Sequence, residues 1–292
     1  MSTNTPLRSL LAPAAVFAFG VAVAMWIVGF ITHLPGLQAP PLAVGIALLV
    51  TQLAGAILCG RVCGPRPVLT GALAGLGAGL INLMILGAVV TSGSEEFASL
   101  PVLLVGWVLF STALGTIGAA IGARFPGSTK ELRPAGVWLA AFGAVAIAAA
   151  VPVLLSGGLT TSKDAGLAVP DWPTSYGANM FLFPLAKMTG GIYYEHTHRL
   201  FGSLIGLTTI ALVVFTFLAD KRLLARASAT TCLVFVVAQG ILGGVGVAIA
   251  DDTTQWRESI ATPEEVPDEV ATNYALTTDN RGSAGMRMVH GV

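Results

Sequence analysis

A carboxylate and a histidine lie three residues apart just before a long apolar segment. Glu195 and His198 belong to the run YYEHTHRLFG, and a second histidine, His290, stands near the end of the chain. Ionisable side chains are costly at a membrane helix, and those found there usually serve binding or chemistry. Two imidazoles on neighbouring helices can ligate a haem iron from its two faces. We therefore predict a haem site, with Glu195 on the same helix face as His198.

The composition places these residues in an integral membrane protein. Of the 292 residues, 54% are hydrophobic and only 10% are charged. The mean hydropathy of +0.80 is higher than a soluble domain can carry without exposing apolar surface. The formal net charge is +0, and no long basic run occurs. A nucleic-acid partner is therefore excluded, and the lipid bilayer is the expected surrounding.

Apolar stretches of membrane length recur along the chain. A hydrocarbon core of roughly 30 Å needs about 20 helical residues. We predict seven spans, at 11–32, 41–59, 68–91, 99–122, 135–156, 199–219 and 228–250, and an eighth that begins near Met286 and is cut off at Val292. The stretches lack the two-residue alternation of a closed barrel, the other structure that satisfies the backbone in lipid. The predicted fold is an all-α polytopic transmembrane bundle.

Charged residues in the loops predict the orientation of these spans. The acidic residues concentrate in every second loop. Nine basic residues fall in the N-terminal tail and the other loops, namely Arg8, Arg61, Arg66, Arg124, Lys130, Arg133, Lys221, Arg222 and Arg226. Cytoplasmic loops carry an excess of Lys and Arg. We therefore expect a multi-pass plasma-membrane protein with a cytoplasmic N-terminus and with loops 157–198 and 251–285 outside.

A linker divides the chain into two predicted domains. The segment FPGSTKELRPAG, residues 125–136, has the Pro, Gly and charge content of a boundary. Residues 1–125 form a four-helix accessory domain to which no function can be assigned, and residues 126–292 form the haem-binding part. Cys59 and Cys63 are one helical turn apart but lack a third ligand nearby, so we expect them to be structural.

The orientation brings both predicted ligands to the same side of the membrane. The sixth and eighth segments both start at the outer face, His198 near the start of one and His290 near the start of the other. The geometry suits a bis-histidine haem, whose iron lies between two imidazoles. Arg199 could pair with a haem propionate or hold lipid headgroups, and both interpretations stay open.

Four motifs in this order resemble the N-terminal half of heme A synthases. They are GGLTTSKDAGLAVPDWPTSYG at 157–177, E-x-x-H-R at Glu195, His198 and Arg199, QGILGG at 239–244, and HG at His290 and Gly291. In that family, two similar four-helix halves each offer a histidine pair. The enzyme oxidises a methyl group of heme O to the formyl group of heme A, which terminal oxidases use.

The resemblance implies the roles of individual residues. His198 and His290 would be the ligands of the haem iron, Glu195 the catalytic carboxylate, and haem, as heme b, heme O or both, the bound group. Heme O would be the substrate of an oxidoreductase, with heme O synthase and terminal oxidase assembly proteins as partners. For Glu195, three roles stay open: stabilising positive charge beside the porphyrin, accepting a proton, or capping the start of the helix.

The chain departs from the family pattern in three places, one of which is the loop 251–285, longer and more acidic than expected. Many members carry a cysteine pair flanking PDWP, where this chain has Val169 and Ser175. A cysteine-dependent step is therefore excluded, and we expect Pro170, Trp172 and Pro173 to hold the loop instead. The second half of the family does not follow in this sequence, so an inactive fragment is one expectation.

Other functions compete with catalysis. The principal alternative is a non-catalytic bis-histidine haem carrier or b-type electron-transfer membrane protein, which would need the histidine pair but not Glu195. A transporter is disfavoured because the spans are free of charged midplane residues and breaks. A purely structural assembly factor is a further possibility.

Overall fold

The computed structural model describes residues 8–37, 39–91, 100–126, 128, 131 and 133–251, which are almost entirely helical. The long helices are α1 (Arg8–Thr32), α2 (Pro41–Val62), α3 (Pro67–Thr91), α4 (Leu100–Gly122), α5 (Ala135–Ser162), α6 (Gly190–Ala219) and α7 (Leu223–Asp251). Within the described residues, seven helices are long and apolar enough to cross a membrane. The predicted all-α polytopic membrane fold is confirmed.

Three helices extend five or more residues beyond their predicted ends. Helix α5 runs on to Ser162 rather than residue 156, α6 begins at Gly190 rather than 199, and α7 begins at Leu223 rather than 228. Apolar length detects only the part of a helix that lies in hydrocarbon, whereas the hydrogen-bonded backbone continues through polar residues at its ends. The predicted loop 157–198 is therefore shorter, and Glu195 and His198 lie within α6 rather than just before its start.

Several predictions concern residues that the structure does not describe. The eighth segment, most of the loop 251–285 and His290 lie outside the described residues. The cytoplasmic N-terminus and the domain boundary near residue 126 stay predictions.

The described residues fall into two compact units. The first takes most of α1 to α4, together with residues 135–151 of α5, 204–219 of α6 and 223–234 of α7. The second comprises residues 152–203 and 235–251, with a short piece of α3. Helices α5, α6 and α7 thus contribute residues to both units.

The first unit has a buried aromatic cluster around two thiols. Cys59 and Cys63 pack with Val16, Trp138 and Phe142, and their Sγ atoms lie 3.3 Å apart, within hydrogen-bonding distance. The hydrogen bond to Cys59, together with burial, raises the pKa of Cys63. A protonated, buried thiol is unreactive, which agrees with the structural role expected for this pair.

Glycines bring α3 and α4 into close contact. A Cβ atom built on Gly115 would lie 2.9 Å from the Cα atom of Gly75, and one built on Gly75 would lie 2.5 Å from the carbonyl oxygen of Ser111. Real Cβ atoms do not approach so closely. Small residues allow helix backbones in membranes to pack together, so the GALAGLGAGL segment of α3 is an interface with α4.

We predict that Gly115→Ala will lower the free energy of unfolding by about 1–3 kcal/mol, because the added methyl group overpacks the α3–α4 contact. Gly106 lies on the same helix, and a Cβ atom built there would have nothing within 4 Å. Gly106→Ala is therefore the matched control and should be neutral or slightly stabilising. Thermal unfolding of the full chain in detergent measures both. Equal midpoints for the two variants would contradict the close packing.

The second unit contains the connection between α5 and α6, here called the α5–α6 loop (residues 163–189). The loop holds a small hairpin of β1 (Thr174–Ser175) and β2 (Ala178–Asn179), followed by single 3₁₀ turns at Met180–Leu182 and Leu185–Lys187. Tyr176 and Gly177 form the turn of the hairpin, with φ values of 52° and 74°. Two positive φ angles are typical of the type I′ turn that joins tightly paired strands.

Candidate functional site

A buried ion pair lies on the first turns of α6. Glu195 and Arg199 are four residues apart, so their side chains share one helix face. The Glu195 side chain is 5% exposed and the Arg199 side chain 9%, and Oε1 of Glu195 accepts from Nη2 of Arg199. The other carboxylate oxygen, Oε2, accepts from the backbone N–H of Val169 at 2.7 Å. Both oxygens of Glu195 are therefore engaged within the chain.

Arg199 binds the backbone of the α5–α6 loop. Its Nη1 donates to the carbonyl oxygens of Asp171 at 2.5 Å and Thr174 at 3.2 Å. Its Nη2 donates to the carbonyl oxygen of Val169 at 2.9 Å. The planar guanidinium presents several donors in a fixed fork, which a lysine could not replace. One side chain thus holds three carbonyl groups of an irregular segment.

Asp171 organises the same loop from within. Its Oδ1 accepts from the backbone N–H of Tyr176 at 2.7 Å, and its Oδ2 accepts from that of Gly177 at 2.8 Å. The Tyr176 hydroxyl donates to the carbonyl oxygen of Ala168. The carboxylate therefore fixes the hairpin turn, a role that sequence reasoning missed although an Asp shortly before a Tyr-Gly turn is a typical signal.

His196 faces the hairpin. It is fully buried, its Nδ1 lies 3.0 Å from the Ser175 hydroxyl, and its ring packs on Phe183 with centroids 5.0 Å apart. Val169 is bound by Glu195 and Arg199, so both positions that flank the PDWP segment are tied to α6. These contacts, rather than the prolines and Trp172 alone, hold the loop.

His198 faces α5 rather than the loop. Its Nδ1 lies 3.1 Å from the carbonyl oxygen of Val153 and 3.3 Å from the Ser156 hydroxyl. A carbonyl oxygen only accepts, so Nδ1 carries the hydrogen and Nε2 carries a lone pair. The lone pair of Nε2 is the electron pair that an imidazole offers to a metal ion. A backbone carbonyl that orients an imidazole in this way is typical of metal-ligating histidines.

Two glycines of the sequence motifs provide space for this arrangement. A Cβ atom on Gly157 would lie 2.8 Å from Cε1 of His198. A Cβ atom on Gly244 would lie 2.6 Å from Cδ2 of Trp172. The first glycine of GGLTT therefore admits the imidazole against α5, and QGILGG admits the indole of the loop against α7.

The predicted site residues have different neighbours in the structure. Glu195 and Arg199 come together at the loop, whereas His198 contacts α5. Arg199 uses both Nη groups within the chain, and its pairing with a propionate stays a prediction. Over residues 8–251, with the gaps given above, no cluster of three or more His, Cys, Asp or Glu side chains could hold a metal ion. A bis-histidine haem needs only two ligands, and the second predicted one, His290, is not described.

Comparison with known proteins locates the similarity in the C-terminal part of the chain. Residues 138–262 match the family described as cytochrome oxidase assembly protein. A heme A synthase from Exiguobacterium sp. (strain ATCC BAA-1283 / AT1b) is 32% identical over 97 residues, which is 32% of this chain and 31% of the relative. No solved structure matches the chain. The predicted resemblance to the heme A synthase family is confirmed over this segment, and the chain spans about a third of that relative's length.

We predict that Arg199→Ala will lower the free energy of unfolding by about 3–5 kcal/mol, because it removes the opposite charge of the buried Glu195 carboxylate and the side-chain donor of three loop carbonyls. Combining it with Glu195→Ala should cost less than the sum of the two single changes. The control is Arg222→Ala, which removes an ion pair whose Arg222 side chain is 81% exposed and should change little. Thermal unfolding in detergent measures all four variants, and additive effects would rule out a coupled pair.

Proposed function

We propose that this membrane protein acts in cytochrome oxidase assembly as a heme A synthase-like oxidoreductase. It would oxidise a methyl group of heme O to the formyl group of heme A. The observation that carries the proposal is the environment of His198: its Nδ1 faces the Val153 carbonyl oxygen, which leaves the lone pair of Nε2 for a metal. The family match over residues 138–262 supports the same conclusion.

In the proposal, His198 and His290 would be the two protein ligands of the haem iron. The donor set fits, because neutral imidazoles ligate haem iron and the contact with α5 keeps His198 in one tautomer and one orientation. When bound, the haem supplies the iron and, as heme O, the methyl group to be oxidised. Gly157 and Ser156 of α5 fix the position of the His198 ring.

In this proposal, Glu195 supplies a negative charge that stabilises the oxidation step. Removal of two electrons and one proton from the methyl carbon by an external electron acceptor would build positive charge beside the porphyrin, and a fixed carboxylate in a low-dielectric setting would stabilise such charge. Both oxygens of Glu195 already accept hydrogen bonds, from Val169 and Arg199. Hydrogen bonds from a backbone N–H and a guanidinium stabilise the ionised carboxylate, so these contacts favour the electrostatic role over proton acceptance.

The proposal also includes the setting of the reaction. The N-terminus would be cytoplasmic and the α5–α6 loop would lie on the outer side of the plasma membrane, an orientation that the excess of Lys and Arg in alternate loops favours. Heme O would come from a heme O synthase, and terminal oxidase assembly proteins would receive heme A. Both partners are inferred from the resemblance to heme A synthases.

We predict that Gly157→Ala will weaken haem binding, because the added methyl group would displace the His198 ring from α5. Gly158 is the matched control, since a Cβ atom built there would have nothing within 4 Å. The low-spin absorption bands of the purified chain should be reduced in Gly157→Ala, lost in His198→Ala and retained in Gly158→Ala. Unchanged bands in His198→Ala would remove this residue as a ligand.

We predict that Glu195→Gln will leave haem bound but reduce heme A formation by roughly 10²–10³-fold, the usual loss when one electrostatic stabiliser is removed. The amide keeps the size of the side chain and an oxygen acceptor. The measurement is chromatography and mass spectrometry of haems extracted from cells that produce heme O together with the chain.

The same extracts decide between enzyme and carrier. Heme A or its hydroxylated precursor in the parent chain, and their loss in Glu195→Gln, would support the oxidation. A parent chain that binds haem but yields neither product would contradict it, and would favour the bis-histidine haem carrier or electron-transfer protein. Equal yields from both chains would exclude a catalytic Glu195.

A further inference from the structure

A polar side chain is buried near the middle of α2. Gln52 is 2% exposed, and its Nε2 donates to the Ser111 hydroxyl at 2.5 Å and to the Ser111 carbonyl oxygen at 3.2 Å. The hydroxyl in turn donates to the carbonyl oxygen of Gly75 at 2.7 Å. The Ser111 carbonyl oxygen can only accept, and the Ser111 hydroxyl uses its hydrogen for Gly75, so it also accepts from Gln52. The amide nitrogen of Gln52 must therefore face Ser111. Its two hydrogens are directed to Ser111 on α4.

The amide oxygen of Gln52 lacks a hydrogen-bond donor among the described residues. Oε1 of Gln52 is buried and has no hydrogen-bond partner among the residues that the structure describes. An unsatisfied buried acceptor is destabilising, and hydrocarbon around a membrane helix offers no substitute for water. Buried polar atoms in proteins nearly always have a partner, which is often an ordered water molecule.

A cavity of suitable size lies beside this side chain. Gln52 lines it together with glycines of three helices, among them Gly55, Gly71, Gly75 and Gly115, and its volume open to the centre of a water molecule is about 10 Å³. Such a volume accommodates roughly one water molecule and excludes larger ligands. The cavity thus adjoins a buried side chain that has one unpaired acceptor.

We propose that this cavity is a binding site for a single water molecule, which donates a hydrogen bond to Oε1 of Gln52 inside the four-helix part of the chain. The site completes a chain of hydrogen bonds from the water through Gln52 and Ser111 to the Gly75 carbonyl. It links α2, α4 and α3 through polar contacts. The proposal is independent of haem binding and of the oxidation proposed above.

A double-mutant cycle tests the site. Ala78 lines the cavity and is 1% exposed, so Ala78→Val fills space that the water would occupy. In the parent chain, this change should lower the unfolding midpoint, on the order of 5 °C, because the expelled water leaves Oε1 unpaired. In the Q52M background, which keeps the side-chain length but removes the acceptor, the same change should lower the midpoint much less or raise it. Equal effects in both backgrounds would overturn the proposal, whatever their size.

A high-resolution experimental structure of the full chain provides the second measurement. We expect density for one water molecule at about 2.7–3.2 Å from Oε1 of Gln52, and its loss in Ala78→Val. An empty cavity in the parent chain, or a donor from the protein at that position, would overturn the proposal.

Discussion

The second unit depends on one guanidinium that is nearly withdrawn from solvent. Arg199 donates to the carbonyl oxygens of Val169, Asp171 and Thr174 in the α5–α6 loop, the first two of which lie outside any strand or helix. A charge buried in this way needs an opposite charge, and Glu195 supplies it. The ion pair therefore neutralises a buried cation and also holds the α5–α6 loop in one conformation against the N-terminal turns of α6.

Four residues near the start of α6 contact three different parts of the chain, because helical spacing directs their side chains to different faces. Glu195 and Arg199 hold the loop backbone, His196 contacts Ser175 of the hairpin, and His198 contacts α5. The loop can thus be held without using the imidazole proposed as the haem ligand. His198 is oriented by a backbone carbonyl, which remains whatever side chain occupies position 153.

Glycine controls packing in both units, with different results. Gly157 and Gly244 each admit one large ring, so two motif residues without side chains still shape the site. In the first unit, glycines allow α3 and α4 to touch, and they also leave the small cavity beside Gln52. Close backbone approach in a membrane therefore brings polar groups together and leaves gaps that side chains do not fill.

Apolar length and the lack of alternation were sufficient to predict seven membrane helices, because transfer into hydrocarbon is a property of each segment by itself. The order of motifs was likewise sufficient to identify the heme A synthase resemblance and to select Glu195, His198 and Arg199. Only the tertiary structure decided that α6 starts at Gly190, that Arg199 binds loop carbonyls, and that His198 faces Val153 while Oε1 of Gln52 has no partner among the described residues. These features depend on hydrogen bonds between groups far apart in sequence, and hydropathy and spacing carry no information about which distant groups meet.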